Sequence, residues 1–222
     1  MLSPEGLRAS HFQCQLSCPP VRAFGEDELN QILPKIGSRF GFRSFSHTAE
    51  GGALLEGPSG IELSIEVGRL SFKEQVGSTH ISVGIENLLD LVAAVREHLQ
   101  LPLLLAPQIQ IGALWALEGE TADAMLSRRT AIAERFDLTP LGDPILGIRM
   151  VTRSQPPEPI YDVRVEPFFE NPSLLYLEIN GTHPAVVVQD DTSVLRAAAE
   201  GTYQQLKAME TVFGDGPGLV DG

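Results

Sequence analysis

The sequence predicts an α+β protein in which one structural unit occurs twice, forming a single curved antiparallel sheet with four helices on one face. One observation is a repeated triplet: Gly41-Phe42-Arg43 follows a helical segment in the first half, and Gly147-Ile148-Arg149 follows another in the second. The other is the order of patterns after each triplet, from a polar loop through alternating apolar residues to a long amphipathic helix. Because two copies usually pack about a pseudo-twofold axis, such a repeat would determine most of the architecture.

The first copy, residues 1–105, begins with an alternating segment at His11–Leu16, where every second residue is apolar from Phe12 onward. This period predicts a strand with one buried face. Apolar residues at helical spacing predict a helix over Glu26–Phe40, in which Pro34 predicts a kink or an early end. A strand over Phe42–Ser46 follows, and the glycines just after it indicate a turn.

The remainder of the first copy contains the clearest alternation in the chain. Ile61–Val67 places an apolar residue at every second position, which is the pattern of a half-buried strand. A weaker strand is predicted over Leu70–Val76, and an apolar stripe predicts a helix over Ile85–Leu99. The copy therefore reads strand, helix, three or four antiparallel strands, long helix.

The second copy, residues 106–213, repeats this order, and the two copies are expected to form one compact domain. Residues 214–222 contain several glycines and are expected to form a flexible tail. The predicted elements of this copy are a strand at Gln108–Ala113, a helix at Glu120–Phe136, strands at Leu146–Thr152, Tyr161–Glu166 and Leu175–Asn180, and a helix beginning near the capping pair Asp191-Thr192.

Each alternating strand has one apolar face, which the helices are expected to cover. The other face of the sheet would then be directed toward water or a partner. The residues predicted on this open face are mostly polar: Gln13, Gln15, Glu62, Ser64, Glu66, Gln108, Gln110, Asp162, Arg164, Glu166, Tyr176, Glu178 and Asn180.

The repeated strand and helix order resembles the fold of the TATA-box-binding protein, in which a saddle-shaped sheet has helices on one face. The likeness is one of topology and covers most of the chain. Three segments also resemble an uncharacterised family of bacterial proteins with this duplicated architecture, a likeness that implies no known activity. These segments are Leu146-Gly147-Ile148-Arg149, the run from Tyr161 to Phe169, and Leu175-Tyr176-Leu177-Glu178-Ile179.

Composition argues against several classes of function. The chain has 222 residues and a formal net charge of −13, so it repels nucleic acid and anionic membranes at long range. DNA binding of the saddle type needs basic residues and apolar wedges, whereas carboxylates outnumber cations among the residues predicted on the open face. The first residues lack the pattern of a signal peptide, and no apolar stretch is long enough to span a bilayer. We therefore expect a cytoplasmic protein that binds neither nucleic acid nor membranes.

The cysteines and histidines do not predict a metal site. Cys14 and Cys18 lie on one strand face, too far apart to share an ion without a bend, so Cys14 is expected to be a buried core residue. The five histidines show no metal-binding spacing, and His47 and His183 are the pair that could converge from loops. No cofactor is predicted. The histidines are His11, His47, His80, His98 and His183.

Recognisable catalytic motifs are also lacking, since neither a nucleophile elbow nor a phosphate-binding glycine loop occurs. The predicted open face contains two pairs of carboxylates, Glu62 with Glu66 and Glu166 with Glu178. Paired carboxylates can act as an acid and a base in catalysis when burial separates their pKa values. On an open sheet such carboxylates are expected to be solvated or paired with arginines on adjacent strands. The sequence therefore favours a non-enzymatic protein.

Arg43 and Arg149 occupy matching positions in the two copies, so pseudo-symmetry would place them in related positions on the sheet. They could bind a carboxylate of a partner, or they could neutralise glutamates on neighbouring strands, which is the simpler interpretation. Trp115 is the only tryptophan, and we expect it to fill the core where the halves meet, with an interface role as the alternative.

These observations predict a binding or assembly module that holds a protein or peptide on the polar concave face or the adjacent loops. The alternative is a small-molecule-binding protein or hydrolase with a pocket between sheet and helices, and a structural homodimer is a third possibility. The residues predicted to bind are Arg43, Arg149, Arg164, Glu62, Glu66, Glu166, Tyr176 and Glu178.

Overall fold

A single antiparallel sheet forms the centre of the molecule. The computed structural model describes residues 2–18, 26–42, 44–48, 52–75, 81–99, 104–130, 145–152, 158–183, 187–188 and 192–213. The strands are β1 (Leu2–Ser17), β2 (Ser44–His47), β3 (Ala53–Glu56), β4 (Glu62–Glu66), β5 (Arg69–Gln75), β6 (Leu104–Leu117), β7 (Ile148–Val151), β8 (Ile160–Pro167), β9 (Leu174–Thr182) and β10 (Val187–Val188).

Nine of these strands follow one path across the sheet, in the order β2-β3-β4-β5-β1-β6-β9-β8-β7, and β10 pairs with β6 beside it. The central pair is β1 and β6, whose register places Phe12 opposite Ile111 and Cys14 opposite Ile109. The two segments predicted to open the two halves of the chain are thus neighbours in the middle of the sheet.

The helices are α1 (Glu26–Phe40), α2 (Ile81–Leu99), α3 (Ala122–Thr130) and α4 (Ser193–Phe213). α4 contacts β6, β8 and β9, whereas α2 contacts β1 and lies between α1 and α4. Apolar residues on alternate strand positions, such as Leu63 and Ile65 of β4, are buried on this side. Burial of these side chains, worth roughly 1.5–3 kcal/mol each, holds the helices on the sheet.

Several predicted elements are confirmed, and their ends have local causes. α1 has the predicted bounds and continues through Pro34. It ends because Gly41 has φ 73°, a left-handed conformation that favours glycine, and its N–H donates to the carbonyl of Gly37 at 2.7 Å. α4 begins at the predicted position, since the carbonyl of Thr192 accepts from the N–H of Arg196 at 3.0 Å.

Other elements differ from the prediction. β3 was not predicted, because its four residues Ala53–Glu56 are too few to show a clear alternation, yet it pairs with β4 along its whole length. β1 and β6 are longer than predicted, and three irregularities in their pairing hide the alternation at the ends of β1. α2 begins at Ile81 rather than Ile85.

Parts of the prediction fall on residues that the structure does not describe. These are Arg43, the end of the helix predicted to reach Phe136, and the expected tail at 214–222. Within the described ranges, no helix combines the length and apolar character needed to cross a membrane.

Candidate binding face

The side of the sheet opposite the helices has rows of half-exposed polar side chains. One row runs from Gln13 on β1 through Gln110 on β6 and Asn180 on β9 to Asp162 on β8. In the other direction, Gln13 lies opposite Lys73 of β5. We call this surface the open face, since the helix contacts described above lie on the other side. The expected orientation of Gln13, Glu62, Gln110, Asp162, Tyr176 and Glu178 is confirmed, because each alternates with buried neighbours.

His11 lies at the centre of the open face. It pairs with Gly112 of β6, at an irregularity of the β1–β6 ladder that follows Ala9. A side chain at position 112 would collide with the imidazole, so the ring lies directly over the glycine. The absence of a side chain at Gly112 therefore leaves room for the imidazole above β6.

Tyr176 of β9 lies beside this imidazole. The two ring centroids are 6.3 Å apart and the ring planes differ by 19°. The Tyr176 hydroxyl donates a hydrogen bond of 2.8 Å to Oε2 of Glu178. Glu178 is itself directly opposite Gly112, so Gly112 lies between His11 and Glu178 in the register. His11, Tyr176 and Glu178 thus form a contiguous group.

The environment sets the protonation of these groups. Burial is the largest cause that raises the pKa of Tyr176, followed by the hydrogen bond to Glu178 and the charges of Glu178 and Glu166. The phenol therefore remains a hydrogen-bond donor at neutral pH. Burial also lowers the pKa of His11, with a smaller contribution from Lys73, while Glu178 acts in the opposite direction. His11 is therefore neutral at pH 7.

Most carboxylates of the open face are paired with cations on adjacent strands or turns. Lys73 lies 3.6 Å from Glu62, and Arg69 binds Glu66 with two guanidinium nitrogens. The predicted pair of Glu62 and Glu66 is therefore divided between two cations and does not form a shared acid–base site. The structure confirms for these two glutamates the expectation that open-sheet carboxylates pair with neighbouring cations.

Arg149 occurs on β7, at one edge of the sheet. Its Nε and Nη2 lie 2.9 Å and 2.6 Å from the two carboxylate oxygens of Asp162 on the adjacent strand. This pair raises the pKa of Arg149 and lowers that of Asp162, in both cases mainly through the hydrogen bond. Ser44, which begins β2, lies at the opposite edge, and Arg43 lies outside the described residues.

Arg164 is a more weakly held cation on β8, the strand next to the edge strand β7. It lies directly opposite Glu178, with 3.9 Å between Nη1 and Oε1, which is too long for a hydrogen bond. Glu166, on the same strand and face, is exposed and makes no hydrogen bond or ion pair within the described ranges. Four of the predicted binding residues therefore lie close together in the structure: Arg164, Glu166, Tyr176 and Glu178. His11, which was not predicted, joins this group. The predicted residues Arg149, Glu62 and Glu66 lie outside it, each in an ion pair of its own.

The charges of the open face nearly balance. Among the described side chains, the structure adds Arg8, Arg69 and Lys73 to the predicted Arg149 and Arg164, so carboxylates exceed cations there only slightly. Recognition on this face would therefore depend on local groups rather than on overall attraction. The charged residues are Arg8, Arg69, Lys73, Arg149 and Arg164 with Glu56, Glu62, Glu66, Asp162, Glu166 and Glu178.

Comparison with known proteins does not assign a family. Neither a protein-family model nor a curated protein matches this chain. Among solved structures, the chain is similar to an aspartate kinase of Clostridium acetobutylicum, with 10% identity and a TM-score of 0.25 over 92% of this chain. The match covers 34% of the kinase, about a third of its length. A likeness at this level carries no argument about fold or activity.

The helix-covered side contains an apolar cavity and both cysteines. A cavity against α2 is lined entirely by apolar residues from the sheet and the helix. Cys14 and Cys18 are buried and free, and burial raises the pKa of Cys14 to about 12, so the predicted core role of Cys14 is confirmed. The described residues contain no group of three or more potential metal ligands. Trp115 is buried, as predicted, between Leu7 of β1 and Leu175 of β9.

Glu74 and His11 are two polar residues whose placement the sequence did not predict. Glu74 of β5 faces the core, where Asn87 of α2 holds its carboxylate. The sequence contained a signal for this placement, because Glu74 occupies the next alternate position after the buried residues Leu70 and Phe72 of β5. His11 was not among the residues predicted on the open face, although it occupies the same alternating positions of β1 as Gln13.

Proposed function

We propose that this protein is a binding module that holds a protein or peptide segment against the open face of its sheet. The observation that carries the proposal is the group of His11, Tyr176 and Glu178 around Gly112. Three strands contribute to it, and the ring contact and hydrogen bond fix the side chains before any partner arrives. Such preorganisation reduces the entropy lost on binding.

The chemistry of the surrounding rows favours a polypeptide. Gln13 and Gln110 lie side by side on the two central strands, and each of their amides provides both donors and acceptors. A polypeptide backbone also alternates donors and acceptors, so an extended segment can be matched to these amides. Nucleic acid is a poor candidate, since most cations of the face are already paired with carboxylates and the whole chain is acidic.

We further propose that the halves of the chain are related copies with the topology of the TATA-box-binding protein. The order of elements supports this idea, since each half contains a long central strand, a helix, short strands toward one edge and a closing helix. A binding face that crosses the β1–β6 pair would then lie on the pseudo-twofold axis. Superposition of 2–99 on 104–213 provides a direct test.

A pocket for a small molecule between sheet and helices is the weaker proposal. The cavity against α2 offers hydrocarbon contacts alone, from residues such as Leu16, Phe72 and Val95. It lacks the convergent polar groups that a hydrolase requires. The open face provides the polar chemistry that this cavity does not.

Selection of peptides from a random display library tests the proposed function. The wild-type chain is expected to enrich a consensus sequence, and the variant His11→Ala/Tyr176→Leu should lose at least about tenfold in affinity for it. The matched control is Gln204→Ala, an exposed substitution on α4 that should leave binding unchanged. Equal binding by the open-face variant, or loss of binding in the control, would contradict the proposal. Circular dichroism checks that each variant is folded.

A further inference from the structure

The ring of Tyr176 lies between two carboxylates of the open face. Glu178 is two residues along β9 on the same face, and Glu166 is directly opposite on β8. Oε2 of Glu178 accepts the hydrogen bond from the Tyr176 phenol. Oε1 of Glu178 lies 3.9 Å from Nη1 of Arg164. Two acceptors beside the ring, Oε1 of Glu178 and the carboxylate of Glu166, are therefore available to a cation.

The imidazole of His11 completes the group on the other side of Gly112. Its Nδ1 lies 3.2 Å from the hydroxyl of Ser10, and Nε2 makes no hydrogen bond within the described ranges. The neutral ring, nearly parallel to that of Tyr176, offers a second aromatic surface. A cation over the face of a tyrosine ring is attracted by the ring electrons, and a guanidinium also stacks on aromatic rings.

We propose that His11, Tyr176, Glu178 and Glu166, which we call the aromatic–acidic cluster, bind an arginine side chain of the partner polypeptide. The inference rests on the proposed function and adds a residue type to it. A guanidinium is favoured over an ammonium because its planar fork matches a carboxylate and its face stacks on rings. Arg164 contacts Glu178 at 3.9 Å without a hydrogen bond, and its side chain is 49% exposed, so it can move aside for a guanidinium without breaking one.

The same geometry makes binding depend on pH. The charged and titratable groups around His11 are Glu178 and Tyr176 from β9, Lys73 from β5 and Arg8 on its own strand, while Gly112 of β6 contributes none. Burial keeps His11 neutral at pH 7. Protonation at lower pH adds a positive charge beside the ligand, so affinity should fall as the pH decreases. By linkage, bound arginine should lower the pKa of His11 further.

Titration of the full chain with capped tripeptides, followed by NMR signals of His11 and Tyr176, tests the cluster. The probes are acetyl-Gly-Arg-Gly-amide, the lysine analogue, and the citrulline analogue, which is an uncharged isostere of arginine. Arginine is expected to bind at least about tenfold more tightly than citrulline, and more tightly than lysine. Equal binding of arginine and citrulline would overturn the proposal, and preference for lysine would overturn the choice of guanidinium.

Variants separate the contributions of ring and carboxylate. Glu178→Gln should weaken arginine binding by about tenfold, and Tyr176→Leu by about fivefold. Tyr176→Phe retains the ring and frees Oε2 of Glu178, so it should bind arginine at least as well as the wild type. The control Glu56→Gln changes a carboxylate on β3, away from the cluster, and should have no effect. Unchanged binding in Glu178→Gln would overturn the proposal.

The two proposals can fail separately. If library selection yields peptides that require Tyr176 but show no enrichment of arginine, the binding function stands and the arginine site is wrong. If the arginine peptide binds the cluster while no library peptide is selected, the arginine site stands and the polypeptide-binding function is wrong. Thermal unfolding of each variant distinguishes loss of binding from loss of the fold.

Discussion

Asn87 on α2 donates to the carboxylate of Glu74 on β5, with Nδ2 lying 3.1 Å and 3.2 Å from its two oxygens. Glu74 is 4% exposed and lies on the core side of the sheet. Burial raises its pKa, and the hydrogen bond from Asn87 opposes this effect in part. Glu74 is therefore an acid in the core, tied to the helix that contacts the central strand β1.

Glu74→Gln is expected to stabilise the protein at neutral pH. When folding raises the pKa of a carboxyl, the proton is bound more tightly in the folded state. The resulting stabilisation is complete below the pKa of the unfolded state and is lost as the pH rises through the pKa of the folded state. Glutamine removes the charge but can still accept from Asn87, so we expect a gain of about 1 kcal/mol at pH 7. Denaturant unfolding at pH 4 and pH 7 measures the difference.

The control for this prediction is Glu97→Gln, which changes an exposed carboxylate on α2. It should leave the pH dependence of the free energy of unfolding as in the wild type. A Glu74→Gln variant that is less stable at pH 7, or that retains the wild-type pH dependence, would show that the carboxylate of Glu74 is well accommodated as an ion.

The buried His183 should make the stability of the protein change with pH in the opposite direction to Glu74. It is buried after β9, where its Nε2 lies 3.1 Å from the hydroxyl of Thr202, which itself donates to the carbonyl of Ala198 at 2.9 Å. Burial lowers the pKa of His183. A histidine with a depressed pKa contributes stability that is present above its unfolded pKa and is lost as the pH falls. The protein should therefore lose stability below about pH 6.5.

His183→Gln should reduce this loss, and His11→Gln should reduce it independently. The pKa of His11 is lowered by burial as well, but His11 lies on the open face and His183 on the helix-covered side. Each histidine can contribute up to about 1.4 kcal/mol per pH unit below its unfolded pKa. Because the sites are separate, their effects should add in the double variant. An unchanged slope between pH 7 and pH 5 would contradict the assignment.

Gly112→Ala tests the packing of the imidazole on the sheet. The added methyl group would occupy the position of the His11 ring, so we expect a loss of about 1–3 kcal/mol in the free energy of unfolding. The pKa of His11, measured by NMR, should rise toward its usual range as the ring moves into solvent. In the double variant Gly112→Ala/His11→Ala the collision is gone and much of the stability should return. Equal destabilisation by Gly112→Ala in both backgrounds would contradict the geometry.

Sequence reasoning was most successful where alternation was regular. β4, β8 and β9 were predicted because buried and exposed residues alternate throughout them. β3 was missed because four residues contain too little pattern, and its place in the sheet depends on β4. α1 continued through Pro34 against local preference, with Ile36 and Phe40 buried beyond it.

The site was only partly predictable for a similar reason. The orientation of Tyr176, Glu178 and Arg164 follows from alternation along single strands. Their proximity to His11 depends on the register of three strands and on the space above Gly112, which no single segment encodes. The pairing of Arg149 with Asp162 likewise required the β7–β8 register. Strand orientation is a local property of a sequence, whereas register is a property of the sheet.

The most direct test of the central claim is to map, by backbone amide chemical shifts, where a peptide selected by the wild-type chain binds. The account predicts that perturbations are largest in β1, β6, β8 and β9, with the ring signals of His11 and Tyr176 among those most affected. Perturbations that are largest in α2 and α4, with the signals of His11 and Tyr176 unchanged, would contradict it.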